Sequence, residues 1–137
     1  MKGVTGGGAR LELAGGVEPL RRARLFVRLQ AERCGLQECG DDAALAAAEP
    51  LDGAEGDAVP AAVQVGAADG GLLVAVELRG RRLLHLREHS EALLSGLSSC
   101  WGWEARPRGV HVWCRLGGDD AHQEGRAGTG ERCGGRS

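Results

Sequence analysis

The sequence predicts a chain that is largely disordered or weakly ordered, whose folded part, if any, is a small α+β unit of short strands plus one amphipathic helix. Three observations carry that expectation. Large apolar residues are scarce: Leu, Val and Phe number 18, 10 and 1, and Ile and Tyr are absent. Together they make up about 21 % of the 137 residues, just above the roughly 20 % below which chains tend to stay unfolded. Much of the 42 % hydrophobic content is Ala, at 20 residues, which removes little area from water, whereas a buried Leu or Val contributes roughly 1.5–3 kcal/mol. The length allows one small domain, in which much of the surface stays wet.

Charge divides the chain more sharply than hydropathy does. Residues 1–40 hold seven bases and four acids and read as a weakly ordered basic segment. Residues 41–70 hold seven acids and no base; this Ala/Gly-rich stretch, interrupted by Pro50 and Pro60, reads as a solvated linker. It carries one short helix over "AALAAAE", with Asp41 or Asp42 as N-cap. Residues 61–116 contain the expected α+β unit, and 117–137, nearly devoid of large apolar side chains, read as a disordered tail.

In chain order, "ARLELA" alternates apolar and polar residues as a half-buried strand does. "RLFVRLQ" alternates likewise but also suits a helix starting at Pro19, a residue favoured at the first helical position. "AAVQVGAADGGLLVAVELRG" predicts a strand–turn–strand with Gly70-Gly71 at the turn. A helix follows, with Leu83, Leu86, Ser90, Leu93, Leu94 and Leu97 in one stripe. "GVHVWCRL" is the last strand, placing Val110, Val112, Cys114 and Leu116 on one face.

That helix contains His85, Glu88 and His89 in the pattern His-x-x-Glu-His. In this respect it resembles the inverted zinc metallopeptidases, which implies zinc on His85 and His89 and a water activated by Glu88. The resemblance covers five residues, and the chain offers no rigidly held third ligand: Glu104, Glu124 and Glu131 lie in a Trp/Pro/Arg segment and a Gly-rich tail. The plainer reading is the polar border of an amphipathic helix, with adventitious metal binding as its alternative. No catalytic, cofactor-binding or metal residue is assigned.

The five cysteines, an odd number, predict reduced thiols and not a disulfide framework. Neither Cys34/Cys39 with His85/His89 nor Cys100, His111, Cys114 and His122 has zinc-site spacing. "GRAGTGER" lacks the Lys and Ser/Thr of a phosphate loop, and "TGGGARLEL" follows no strand. Ser90, Ser95, Ser98 and Ser99 lack a nucleophile-elbow pattern. The absence of Asn and Tyr removes Asn-linked glycosylation and tyrosine phosphorylation. The longest apolar run, Leu72 to Val76, is far short of the ~20 residues of a membrane span. The N-terminal residues lack a secretory h-region, so a cytoplasmic or nuclear setting is expected.

The bias toward Gly, Ala and Arg (24, 20 and 16 residues) is that of a very GC-rich reading frame. The leading expectation is therefore a small soluble protein with no assignable biochemical function and no enzymatic activity. Its rival is a small interaction protein binding RNA or an acidic partner. Arg21, Arg22, Arg24 and Arg28, with Arg79, Arg81, Arg82 and Arg87, would contact phosphates. Trp101, Trp103 and Trp113, near Arg106, Arg108 and Arg115, would offer stacking surfaces.

Overall fold

A computed structural model describes residues 8–52, 59–68, 70–80, 88–117 and 132–133. The expectation of a largely disordered chain is overturned: one antiparallel sheet and three helices enclose a single apolar core. The α+β class stands, but the folded unit is not confined to residues 61–116. It begins at β1 (Ala9–Glu12) and takes in α1 (Pro19–Arg33), α2 (Gly40–Asp52), β2 (Val59–Ala68) and β3 (Gly71–Arg79). The chain continues through α3 (Glu88–Leu97), β4 (Cys100–Arg106), β5 (Gly109–Gly117) and the two-residue β6 (Arg132–Cys133). Spatial order is β1-β2-β3-β5-β4-β6, every neighbouring pair antiparallel.

The scarcity of large apolar residues does not prevent a core, because alanine supplies much of it. In α2, Ala43, Ala44, Ala46, Ala47, Ala48 and Leu51 are all buried, while Asp41, Asp42 and Leu45 face water. Residues 41–52 are thus a core helix and not a solvated linker. Its small side chains let it lie close against α1, α3 and β3, where close packing supplies dispersion contacts that a bulkier residue would obtain at longer range. Averaging charge over 41–70 hides the fact that Asp41 and Asp42 occupy outer positions of this helix. Pro50 lies in the last turn, and the helix continues to Asp52.

The ambiguous "RLFVRLQ" is helical. Glu18, at φ 49°, precedes Pro19 at the first helical position, and Ala23, Val27, Gln30 and Ala31 form the buried stripe. The helix ends in a Schellman motif. The Leu36 amide donates to the Ala31 carbonyl at 2.8 Å and the Gly35 amide to that of Glu32 at 3.0 Å. Gly35 takes φ 75°, a left-handed conformation that glycine adopts without steric cost.

The strand–turn–strand is present, with Gly70 (φ 79°) in the turn and Gly71 already in β3. Its register sets Val63 opposite Val76 and Val65 opposite Val74. A register shift between Pro60 and Ala62 marks a bulge at Ala61. The Ala61 carbonyl accepts the Leu13 and Ala14 amides at 2.8 and 3.3 Å, fastening the end of β1. The strand β4 was not anticipated, although Trp101, Trp103 and Ala105 alternate ahead of the turn "RPRG", with Pro107 where such a turn favours it.

Of the predicted helical stripe, Leu94 enters the core and Leu97 packs against it. Leu83, Leu86 and His85 lie outside the described residues. All three helices cover the same face of the sheet, the one formed by Val63, Val65, Leu72, Val74, Val76, Leu78, Val110, Val112 and Leu116. The other face carries no helix among the described residues.

Candidate nucleic-acid interface

Strand alternation sends every second residue to the uncovered face. Across the ladder, Gln64, Ala75, Trp113 and Gly102 form one row, with Arg10 opposite Gln64 at the β1 edge. The next row runs Glu12, Ala62, Glu77, His111 and Glu104. Trp113 is half-buried, and its ladder neighbours are Ala75 and Gly102, side chains too small to cover an indole. Trp101 and Trp103 point the other way: Trp101 is 3 % exposed in the core and Trp103 packs beside it. The three tryptophans therefore do not form one stacking platform.

At one end of this face, Glu77, Arg79, Arg106, Arg108 and His111 line a shallow cleft of about 180 Å³, floored by Ala61, Leu78, Gly109 and Val110. Gly109 is required there, because a Cβ at this position would press into the Leu78 carbonyl oxygen. Arg106 lies 3.5 Å from Glu104. Among the described residues, Arg79 and Arg108 make no side-chain hydrogen bond or ion pair. Burial, then the nearby Arg106 charge, holds the His111 imidazole below its ordinary pKa. It is therefore neutral at pH 7, and its buried Nδ1 has no hydrogen-bond partner.

Toward the β1 edge the face is already neutralised, and this includes the cleft's own Glu77. Arg10 donates to both carboxylate oxygens of Glu77 at 2.7 and 3.1 Å, and to Glu12 at 2.5 Å. This fork of hydrogen bonds from Arg10 lowers the Glu77 pKa and leaves its carboxylate ionised. The free cationic character accordingly lies in the cleft and not along the whole face.

The structure separates several groupings expected from sequence. The α1 arginines sit on the helical layer, across the sheet from Trp113. Arg22 donates to the Glu12 carbonyl at 2.8 Å, Arg28 to Asp41 at 3.1 Å, and Arg21 lies 3.8 Å from Glu18. Of the second cluster, Arg79 is in the cleft, and Arg81, Arg82 and Arg87 lie outside the described residues. Glu88 and His89 open α3, while His85, their partner in the metal motif, lies outside the described residues. Among the described residues no three His, Cys, Asp or Glu side chains converge as a metal would require. Likewise, no helix among them is long and apolar enough to cross a membrane.

The cysteines and serines have structural settings. Cys34, Cys39 and Cys114 are free. Cys114 lies on the covered face, so Cys114 and His111 are separated by the sheet. Burial pushes the Cys114 thiol up to about 12. Cys39 is raised as well, by burial and then by Glu38 and Asp42. Neither is a thiolate at neutral pH. Cys100 departs from the expectation of reduced thiols, for it is disulfide-bonded, and β6 sets Cys133 opposite it in the ladder.

Ser95 accepts the Trp101 indole N–H at 3.1 Å, Ser98 donates to the Leu94 carbonyl at 2.5 Å, and Ser99 donates to that of Arg115 at 3.0 Å. The look-alike "TGGGARLEL" is in part strand β1, whereas "GRAGTGER" lies outside the described residues except for the backbone of Arg132. No protein-family model and no curated protein matches this chain, so the interface is defined by its own residues alone.

Proposed function

We propose that the chain is a small interaction protein that binds single-stranded RNA on the uncovered face of its sheet. The observation that carries this reading is Trp113, left open by Ala75 and Gly102, two same-face strand steps from the Arg79 and Arg106 of the cleft that Arg108 also lines. Successive same-face residues stand roughly 6.6 Å apart along a strand, so the arginine row lies about 13 Å from Trp113, and a base stacked on the indole leaves a phosphate further along the strand within reach of the cleft. An acidic peptide would satisfy the arginines but would make no use of an open indole, which favours RNA between the two.

The test is fluorescence anisotropy of a labelled 12-nucleotide single-stranded RNA, read across a salt titration. Stacking is worth roughly 1–3 kcal/mol per base, so Trp113→Ala weakens binding by about 5- to 150-fold. Arg106→Ala/Arg108→Ala weakens it and flattens the salt slope by about 0.7 for each phosphate no longer neutralised. Arg21→Ala/Arg24→Ala, on the other layer, leaves binding within about twofold. Absence of binding at low salt overturns the proposal, as does equal affinity of the Trp113→Ala protein. Tighter binding of an acidic peptide than of RNA would transfer the site to that partner.

A further inference from the structure

The outer surface of the helical layer carries two adjoining ridges of charged and apolar side chains. Along α1, the exposed residues Arg21, Leu25, Arg28 and Leu29 recur at helical spacing and form one ridge. Along α2, Asp41, Asp42 and Leu45 form another. The two helices pack side by side, and the 3.1 Å ion pair between Arg28 and Asp41 shows where the ridges adjoin. Leu25, Leu29 and Leu45 keep 53, 45 and 41 % of their surface in water, Leu25 and Leu29 beside Arg21 and Arg28 and Leu45 beside Asp41 and Asp42. The basic ridge thus holds two leucines and the acidic ridge one.

We infer that this surface docks a second copy of the chain, α1 of one protomer lying on α2 of its partner. Charge complementarity selects that occupant. A purely acidic partner would oppose the α2 ridge, and a purely basic one the α1 ridge. The surface is matched by a partner that presents the same two ridges in reversed order, and a two-fold rotation of this chain does so. In the pair, each arginine ridge meets the partner's aspartate ridge, so the contact occurs twice, and the leucines between them leave water. Helices of 15 and 13 residues are each about 20 Å long at 1.5 Å per residue, so the patch is small beside a standard specific interface. Association is therefore weak, in the micromolar range or above, and responsive to salt.

Sedimentation velocity from 1 to 200 µM tests this, with far-UV circular dichroism confirming that each variant is folded. The parent shifts from monomer to dimer across that range, and Leu25→Glu/Leu29→Glu stays monomeric throughout. Arg21→Glu/Arg28→Glu and Asp41→Arg/Asp42→Arg are each monomeric alone, yet an equimolar mixture of the two sediments as a heterodimer. A parent that is monomeric at 200 µM overturns the inference. So does a dimer indifferent to the leucine substitutions, or a mixture of the charge-reversed chains that stays monomeric. These outcomes are independent of RNA binding, which uses the other face of the sheet.

Discussion

The two faces of the sheet are made by the same strands, one residue out of phase, yet they share almost no chemistry. The core of the covered face is Val and Leu with Cys114 and Trp101, each at most 4 % exposed. The uncovered face is a mixture of arginine, glutamate, histidine and one open indole. Helices can pack only on the first; on the second they would bury Arg10, Glu77 and His111, whose charges and hydrogen bonds would then need replacing. Stability is therefore concentrated on one face, and binding chemistry is free to occupy the other.

Substitutions on the covered face break this contrast most strongly. Val76, 1 % exposed, faces Val63 and Val112 across the ladder. Val76→Asp places a carboxylate among them, and a loss above about 3 kcal/mol is expected, a large part of a small domain's total. Chemical denaturation should find the variant largely unfolded in buffer. Leu72→Ala, at 0 % exposure, should cost about 2–5 kcal/mol in the same assay.

Next in size is a test of the alanine core. Ala46→Leu adds three carbons where α2 lies close to its neighbours, and should cost about 1–3 kcal/mol through overpacking. Were alanine merely filler in a loose segment, the larger residue would stabilise the protein instead. A lowered thermal midpoint is the outcome expected from this structure.

Glu77→Gln on the uncovered face should have the smallest effect, about 1 kcal/mol or less, since the Arg10 pair is partly exposed. The pH sign follows from the direction of the shift. Folded Glu77 is more acidic than in the unfolded chain, so its contribution is full above the unfolded carboxylate range near pH 4–4.5 and fades as pH falls below it. Parent and Glu77→Gln denaturation midpoints should therefore differ at pH 7 and converge toward pH 3.

The strands were legible where apolar and polar residues alternate, as in β1 and β5, and where apolar runs flank the Gly70-Gly71 turn, as in the β2–β3 pair. The acidic helix was not, because its signal lies in the spacing of Ala43, Ala44, Ala46, Ala47 and Leu51 rather than in mean composition. For α1, alternation over Leu25, Val27 and Leu29 suggested a strand, while Pro19 marked the helix that forms. Alternation says which residues share a face, not which face the helices will cover. The outward position of Trp113 and inward position of Trp101 follow from the β4–β5 register, and β4 itself went unread. The neutral His111 and the cleft arginines likewise come together only when β3 and β5 are paired.

Both faces of the sheet depend on an alanine-rich core that folds cooperatively, and a far-UV circular dichroism spectrum with a thermal melt tests that most directly. The structure predicts a mixed helix and sheet spectrum lost in one sigmoidal transition that coincides with the change in tryptophan fluorescence from buried Trp101. A random-coil spectrum, or a featureless linear change with temperature, would contradict it.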